Sequence, residues 1–126
     1  MRIKLFEQFN KFNKSVILDE ADMCLVDLRD MGFAWEYELD DYTQFNVPSY
    51  ILTVSLFRND KAGFKPDEIR DSLETMLEYF GDKYGVKSYS VTKPDSPGPG
   101  IEVDLNDRYN RTVYYLNIKI NLGNED

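Results

Sequence analysis

Residues 33–57 read FAWEYELDDYTQFNVPSYILTVSLF, and this stretch decides the fold. Apolar and polar side chains alternate through residues 33–40, which is typical of a strand with one buried face. Residues 50–57 carry apolar side chains on both faces and predict a more central strand. A polar turn over residues 41–48 connects them. The stretch therefore predicts a half-buried strand followed by a more central one.

Amphipathic helices are predicted on both sides of this stretch. Residues 15–31 have apolar side chains at helical spacing, with Asn13 or Ser15 as the N-cap and Gly32 as the end. A second helix begins at Pro66, and Gly81 or Gly85 ends it. The apolar positions are Ile17, Ala21, Cys24, Leu25 and Leu28 in the first helix and Ile69, Leu73, Met76, Leu77 and Phe80 in the second.

Further strands are predicted toward the end of the chain. Residues 86–92 indicate one strand, and residues 93–100 form a loop with three prolines and two glycines. Residues 101–105 predict a short edge strand. Residues 112–122 predict a closing strand, one face of which carries Tyr114, Leu116, Ile118, Ile120 and Leu122.

A helix-strand-strand unit therefore occurs twice in the predicted order of elements. This order predicts an α+β fold, a two-layer sandwich in which two helices cover one face of a mostly antiparallel sheet of four to five strands. The order resembles a permuted ferredoxin-like arrangement. A fold of this kind does not define an activity.

The charges of the first 41 residues fall into two blocks. Residues 1–14 have four basic residues and one acid, a net charge of +3, whereas residues 15–41 have nine acids and one base. The basic block predicts a short amphipathic helix ahead of a single domain formed by residues 15–126. Its apolar side consists of Leu5, Phe6, Phe9 and Phe12. These side chains complete the domain's own core or dock on a partner; binding to a membrane surface is a third and weaker alternative.

Composition excludes several classes of function. The net charge is −8, and residues 15–126 contain no basic cluster, so we expect no nucleic-acid partner. The chain has no histidine, which removes the usual general base and the commonest zinc ligand. Its one cysteine, Cys24, lies on an apolar helix stripe and is expected to be a small core residue. No apolar run is long enough for a membrane span or a signal peptide. We expect neither an enzyme nor a cofactor.

Carboxylates are the remaining candidates for chemistry. Glu36, Glu38, Asp40 and Asp41 could collect a divalent ion, and residues 104–107 begin like a calcium loop, although Arg108 stands where an oxygen ligand is expected. A metal-dependent enzyme built on carboxylates is thus one alternative, while solvated surface acids are the simpler interpretation. Another alternative is a DNA-mimic inhibitor that presents Asp19, Asp22, Asp27, Asp30, Glu36 and Glu38 to a host or defence protein.

Tyrosines are concentrated in the second half of the chain. This half is acidic, which disfavours base stacking and favours protein contacts. Tyr114 and Tyr115 are therefore predicted to bind a protein partner or a second copy of the chain.

The opening MRIKLFEQFN resembles the start I-K-x-F-E-Q-F of small, mostly uncharacterised proteins of tailed bacteriophages. The matching residues are Ile3, Lys4, Phe6, Glu7, Gln8 and Phe9, with Leu5 at the variable position. The resemblance covers about ten residues. It implies a phage origin and a role in the virion or its assembly. It assigns no catalytic or binding residue to this chain. We therefore expect a non-catalytic phage accessory protein that acts through protein contacts in the virion or host cytoplasm.

Overall fold

The protein is described by a computed structural model, which covers residues 13–45, 49–94, 100–103, 105 and 112–123. Leu5, Phe6, Phe9 and Phe12 of the predicted N-terminal helix lie outside the described residues. The elements are α1 (Lys14–Cys24), α2 (Val26–Asp30), β1 (Phe33–Asp41), β2 (Tyr50–Arg58), a 3-10 turn (Pro66–Ile69), α3 (Arg70–Lys83), β3 (Val86–Lys93), β4 (Ile101–Glu102) and β5 (Leu116–Leu122).

The described strands form one antiparallel sheet in the order β1-β2-β5-β3-β4. The last strand in sequence, β5, therefore lies between β2 and β3. If β5 is placed ahead of α1, the longer elements follow the order βαββαβ of the ferredoxin-like motif, with β4 added at the edge. The predicted α+β fold, with a mostly antiparallel sheet, is confirmed.

The two central strands, β2 and β5, divide the sheet into an apolar and a polar face. The middle side chains on the inner face of both strands are fully buried: Leu52, Val54, Leu56, Leu116, Ile118, Ile120 and Leu122. Most alternate positions carry polar groups, and Ser55 Oγ donates to Asn117 Oδ1 at 2.9 Å across the two strands. We call this second surface the open face. The alternation of side chains in the sequence thus fixes which face is covered.

The helices supply the second layer. Ile17 and Ala21 of α1 and Met76 and Phe80 of α3 are buried in the same core as the inner face of the sheet. The helix α1 also contacts α3 directly. Within the described ranges, no helix has the length and apolar content needed to cross a membrane.

The helix predicted over residues 15–31 is divided in two. Asn13 caps α1, since its Oδ1 accepts from the backbone N–H of Ser15 at 3.1 Å. The helix breaks at Leu25, whose φ of −103° and ψ of 7° are not helical, and α2 follows. Periodicity could not reveal this break because the apolar spacing continues through it.

The second predicted helix begins as expected but ends later than its first glycine. Pro66 opens the 3-10 turn, and α3 continues through Gly81 to Lys83. Gly85 has a φ of +83°, which side chains rarely adopt, and its N–H bonds to Phe80 O at 3.0 Å. Gly85, rather than Gly81, is therefore the glycine that ends the helix.

The strand predicted over residues 112–122 is shorter in the structure, and Tyr114 is not on its buried face. Before β5, the backbone pairs with another loop through Phe64 and Val113. Val113 is consequently buried, whereas Tyr114 is 62% exposed. Likewise, among the described residues of the predicted strand over 101–105, Ile101–Glu102 alone pairs with β3 as a strand.

The central position of β5 leads to a stability prediction. Ile118→Ala should lower the free energy of unfolding by about 2–5 kcal/mol, because a fully buried side chain would leave a cavity. Lys119→Ala, at the exposed neighbouring position, should change it by no more than about 0.5 kcal/mol. Urea denaturation of both variants measures the difference, and similar losses would contradict the assignment of faces.

Candidate functional site

A cluster of aromatic and apolar side chains, most of them exposed, lies where the chain enters β5. Tyr114 and Tyr115 are 62% and 50% exposed, and Ile101 of β4 is 45% exposed. The ring of Tyr115 also contacts Phe57 of β2, with 5.5 Å between ring centroids. We call Phe57, Ile101, Tyr114 and Tyr115 the tyrosine surface. It includes both tyrosines that the sequence predicted to bind a partner.

The backbone beneath the tyrosine surface is held by a short bridge. Phe64 and Val113 exchange two backbone hydrogen bonds of 2.8 Å each. Both side chains are buried, and Phe64 packs edge to face on Phe33 with 4.9 Å between centroids. The neighbouring Gly63 lies so close to residues 112–114 that a Cβ atom there would overlap the Thr112 methyl group. The backbone that carries the two exposed tyrosines is therefore held to the core by these hydrogen bonds and buried side chains.

The tyrosines border an open cleft of about 290 Å³. Among the described residues, its lining consists of Lys93, Pro94, Ile101, Thr112, Val113, Tyr114 and Tyr115. The aromatic rings, the isoleucine and the lysine of this set provide a largely apolar contact area. Such a lining suits recognition of a protein surface, in which tyrosines are enriched, and its described residues include no carboxylate or thiol that could act on a substrate.

A second cleft, of about 680 Å³, lies between α3 and strands β3 and β4. Leu73, Leu77 and Val91 form part of its wall, and Arg70, Glu74 and Glu102 add charge. Its lining also includes Leu105, whose neighbours 104 and 106 lie outside the described residues.

The buried charge of the described residues is Glu20 of α1, which is 6% exposed. Its carboxylate accepts hydrogen bonds from the hydroxyls of Tyr79 and Tyr84 and from Lys83 Nζ at 2.7 Å. All three donors lie on α3 or at its end. The cluster therefore joins α1 to α3 through a carboxylate whose two oxygens are both satisfied.

Burial and hydrogen bonding act in opposite directions on Glu20. Burial tends to raise the pKa of its carboxyl, but the hydrogen bonds from Lys83, Tyr79 and Tyr84 outweigh it and lower the pKa. The hydrogen bond to Glu20 in turn raises the pKa of Lys83. Glu20 is thus a stable anion paired with a cation, which is a structural arrangement and not that of a general acid near neutral pH.

A second polar cluster connects α1 to β1. Asp22 Oδ1 accepts from Trp35 Nε1 at 2.9 Å and from the Tyr37 hydroxyl at 2.7 Å. Arg29 lies 3.6 Å from the same carboxylate and stacks over the Trp35 ring at 5.1 Å. Burial, followed by the hydrogen bond to Asp22, raises the pKa of Tyr37. Asp22 is therefore engaged within the fold.

The structure also places the residues considered for metal binding and catalysis. Among the described residues, no group of three or more His, Cys, Asp or Glu side chains is arranged to hold a metal ion. Asp104, Asn106 and Asp107 lie outside those residues. Cys24 is half-buried against the core, where burial and then the charge of Glu20 raise the pKa of its thiol, so little reactive thiolate forms at neutral pH.

Sequence reasoning proposed Tyr114 and Tyr115 as contact residues but did not identify the residues that position them. Gly63 carries no signal of its close approach to Thr112, since that contact joins segments about fifty residues apart. Glu20 was also missed, although its position beside Ile17 and Ala21 at the margin of the apolar stripe could have indicated a paired buried acid.

No protein-family model, curated protein or solved structure matches this chain.

Gly63 provides a test of how the tyrosine surface is anchored. Gly63→Ala should destabilise the fold by about 1–3 kcal/mol, because the added methyl group overlaps Thr112 and approaches Tyr114 Cε1 to 3.3 Å. Gly81→Ala is the control: its Cβ meets no atom within 4 Å in a helix, so it should stabilise by about 0.5–1 kcal/mol. Thermal unfolding compares the two. Thr112→Ser, which removes the overlapping methyl, should partly rescue Gly63→Ala; no rescue would contradict this packing.

Glu20 provides a pH prediction. Because its pKa in the folded chain is below the ordinary value of 4.5, the stability it contributes is present above that pH and is lost as the pH falls through the lowered pKa. Glu20→Gln should therefore cost about 1–3 kcal/mol at pH 7 and weaken the loss of stability in acid. Urea denaturation between pH 7 and pH 3 measures both effects. The exposed Glu78→Gln is the control, and equal acid dependence in both variants would refute the assignment.

Proposed function

We propose that this chain is a non-catalytic phage accessory protein that acts through protein contacts, with the tyrosine surface as its docking site. The observation that carries the proposal is the exposure of Tyr114 and Tyr115 on a backbone anchored by the Phe64–Val113 bridge. Large rings with few rotatable bonds lose little entropy on binding, which makes tyrosine an efficient contact residue. A surface that is already ordered also avoids the cost of ordering on association.

The chemistry of the remaining chain supports a binding role over a catalytic one. The sequence has no histidine, its one thiol has a raised pKa, and its buried carboxylate is neutralised by Lys83. The phage assignment and the role in the virion or its assembly rest on the resemblance of the opening MRIKLFEQFN, which lies outside the described residues. In this proposal the apolar side of the N-terminal segment, Leu5, Phe6, Phe9 and Phe12, adds a second contact with the partner or with another copy.

The docking role can be tested by placing a photo-crosslinking amino acid at Tyr114 in cells that also produce the products of the neighbouring genes. One defined adduct with a protein partner or a second copy is expected. Tyr42, which is 55% exposed on another part of the surface, is the matched control position and should give no such adduct.

Tyr115→Ala should then weaken the identified complex about tenfold or more, measured by titration calorimetry. Equal crosslinking from both positions, or none from Tyr114, would refute the proposal.

A DNA-mimic inhibitor is the second candidate, and the exposure of several acids favours it. Asp19, Asp27, Asp30, Glu36 and Glu38 are all exposed, whereas Asp22 is engaged by Trp35, Tyr37 and Arg29. A mimic should compete with DNA for its target, and its binding should weaken steeply as salt rises. Salt-insensitive binding that Tyr115→Ala abolishes would decide for the tyrosine surface and against the mimic.

A further inference from the structure

The strand β1 forms one edge of the described sheet, with β2 on its only paired side. It is nine residues long and extends along the full length of β2. An edge strand of this length presents a row of backbone donors and acceptors that can pair with a further strand.

The backbone groups that face outward can be assigned from the bonds at the two ends of β1. Gly32 O accepts from Asn59 N at 2.8 Å, and Tyr42 N donates to Ser49 O at 2.7 Å, so the flanking even-numbered residues bond toward β2. In an antiparallel ladder the bonding direction alternates along the strand. The N–H and C=O groups of Phe33, Trp35, Tyr37, Leu39 and Asp41 therefore point away from β2.

The side chains of β1 are sorted by charge between the two faces of the sheet. Glu36, Glu38 and Asp40 lie on the open face, and no ion pair joins them to another described residue. Trp35, Tyr37 and Leu39 lie on the helix-covered face, where they are only half-buried. On both faces, the side of these residues that lies away from β2 is therefore available to side chains of an added strand.

We propose that the outer edge of β1 binds a basic extended segment of a partner protein as an additional strand. Backbone hydrogen bonds to the outward groups of Trp35, Tyr37 and Leu39 provide the attachment. The side chains of an added strand alternate between the same two faces, so the fitting segment alternates Lys or Arg with apolar residues. Its basic side chains lie beside Glu36, Glu38 and Asp40, and its apolar ones beside Trp35 and Leu39.

Charge also determines which strand does not fit. Residues 33–41 contain four acids and no base, so pairing of β1 with the β1 strand of a second copy would place acids beside acids. Adjacent like charges destabilise cross-strand pairs. The edge is therefore protected against self-association and selects a strand of opposite charge. The outer edge of β1 shares no residue with the tyrosine surface, and the inference stands whether or not the tyrosine surface binds a partner.

The proposal can be tested with the synthetic peptide KVKIKVK and the full chain. Trp35, the only tryptophan, lies on β1 and should report binding by a change in fluorescence. The acidic peptide EVEIEVE and the proline-interrupted KVKPKVK should bind at least about tenfold more weakly, since one reverses the charge and the other cannot continue a strand.

Amide hydrogen exchange followed by NMR separates strand addition from loose electrostatic attraction. In the free chain, the amides of Trp35, Tyr37 and Leu39 should exchange faster than those of Glu36 and Glu38, which bond to β2. Saturating KVKIKVK should slow the three odd-numbered amides selectively. Binding without this protection would overturn the proposal.

Charge-reversed variants provide the matched comparison. The triple variant Glu36→Lys, Glu38→Lys, Asp40→Lys should weaken KVKIKVK binding about tenfold or more and favour EVEIEVE. The triple variant Glu74→Lys, Glu78→Lys, Asp82→Lys changes the net charge equally on exposed positions of α3 and should have less than about a threefold effect. Circular dichroism checks that each variant is folded.

Three results would overturn the proposal. Equal weakening by the two triple variants would mean that the peptide responds only to net charge. If the wild-type chain dimerises and the β1 triple variant changes that dimerisation, then a second copy is the occupant. If KVKIKVK binds only after residues 1–12 are deleted, and a peptide of residues 1–14 competes with it, then the chain's own basic segment is the occupant.

Discussion

The alternation of buried apolar and exposed polar side chains along β2 and β5 is the constraint on which the rest of the structure depends. Every inward side chain of β5 from Leu116 to Leu122 is fully buried, as are Leu52, Val54 and Leu56 beside it. A shift of one residue in the register would turn these side chains toward water and bring Lys119 into the core. The side on which the helices pack, and hence the position of the open face, follows from this register.

Two carboxylates of α1 then fix how the helix layer sits on the sheet. Glu20 binds groups of α3, and Asp22 binds Trp35 and Tyr37 of β1. The apolar contacts of Ile17 and Ala21 are not directional, whereas these hydrogen bonds specify the rotation of α1 about its axis. The acids of residues 15–41 therefore differ in role. Glu20 and Asp22 are bonded to other elements of the fold, whereas Asp19, Asp27 and Asp30 face solvent.

The sequence predicted the element types well because its patterns are local. The alternation in β1 and β5 and the stripe of α3 identified strands and helix, and Asn13 was correctly considered as a cap. The break at Leu25 was missed because the apolar spacing continues through it. The burial of Val113 in place of Tyr114 was missed because it depends on pairing with Phe64, which is distant in sequence. For the same reason, Tyr114 and Tyr115 could be proposed from composition, whereas Gly63 and the free edge of β1 required the strand order.

The position of β5 has a consequence for synthesis of the protein. The paired strands β1 and β2 are joined to β3 and β4 within the sheet only through β5, the last described strand in the chain. During translation, both halves emerge from the ribosome before the strand that unites them. Until then, the inner edge of β2, with Leu52, Val54 and Leu56, lacks its neighbour and is open to chaperones or to misassembly. Completion of the sheet is consequently a late event that joins residues far apart in the chain, as in folds of high contact order.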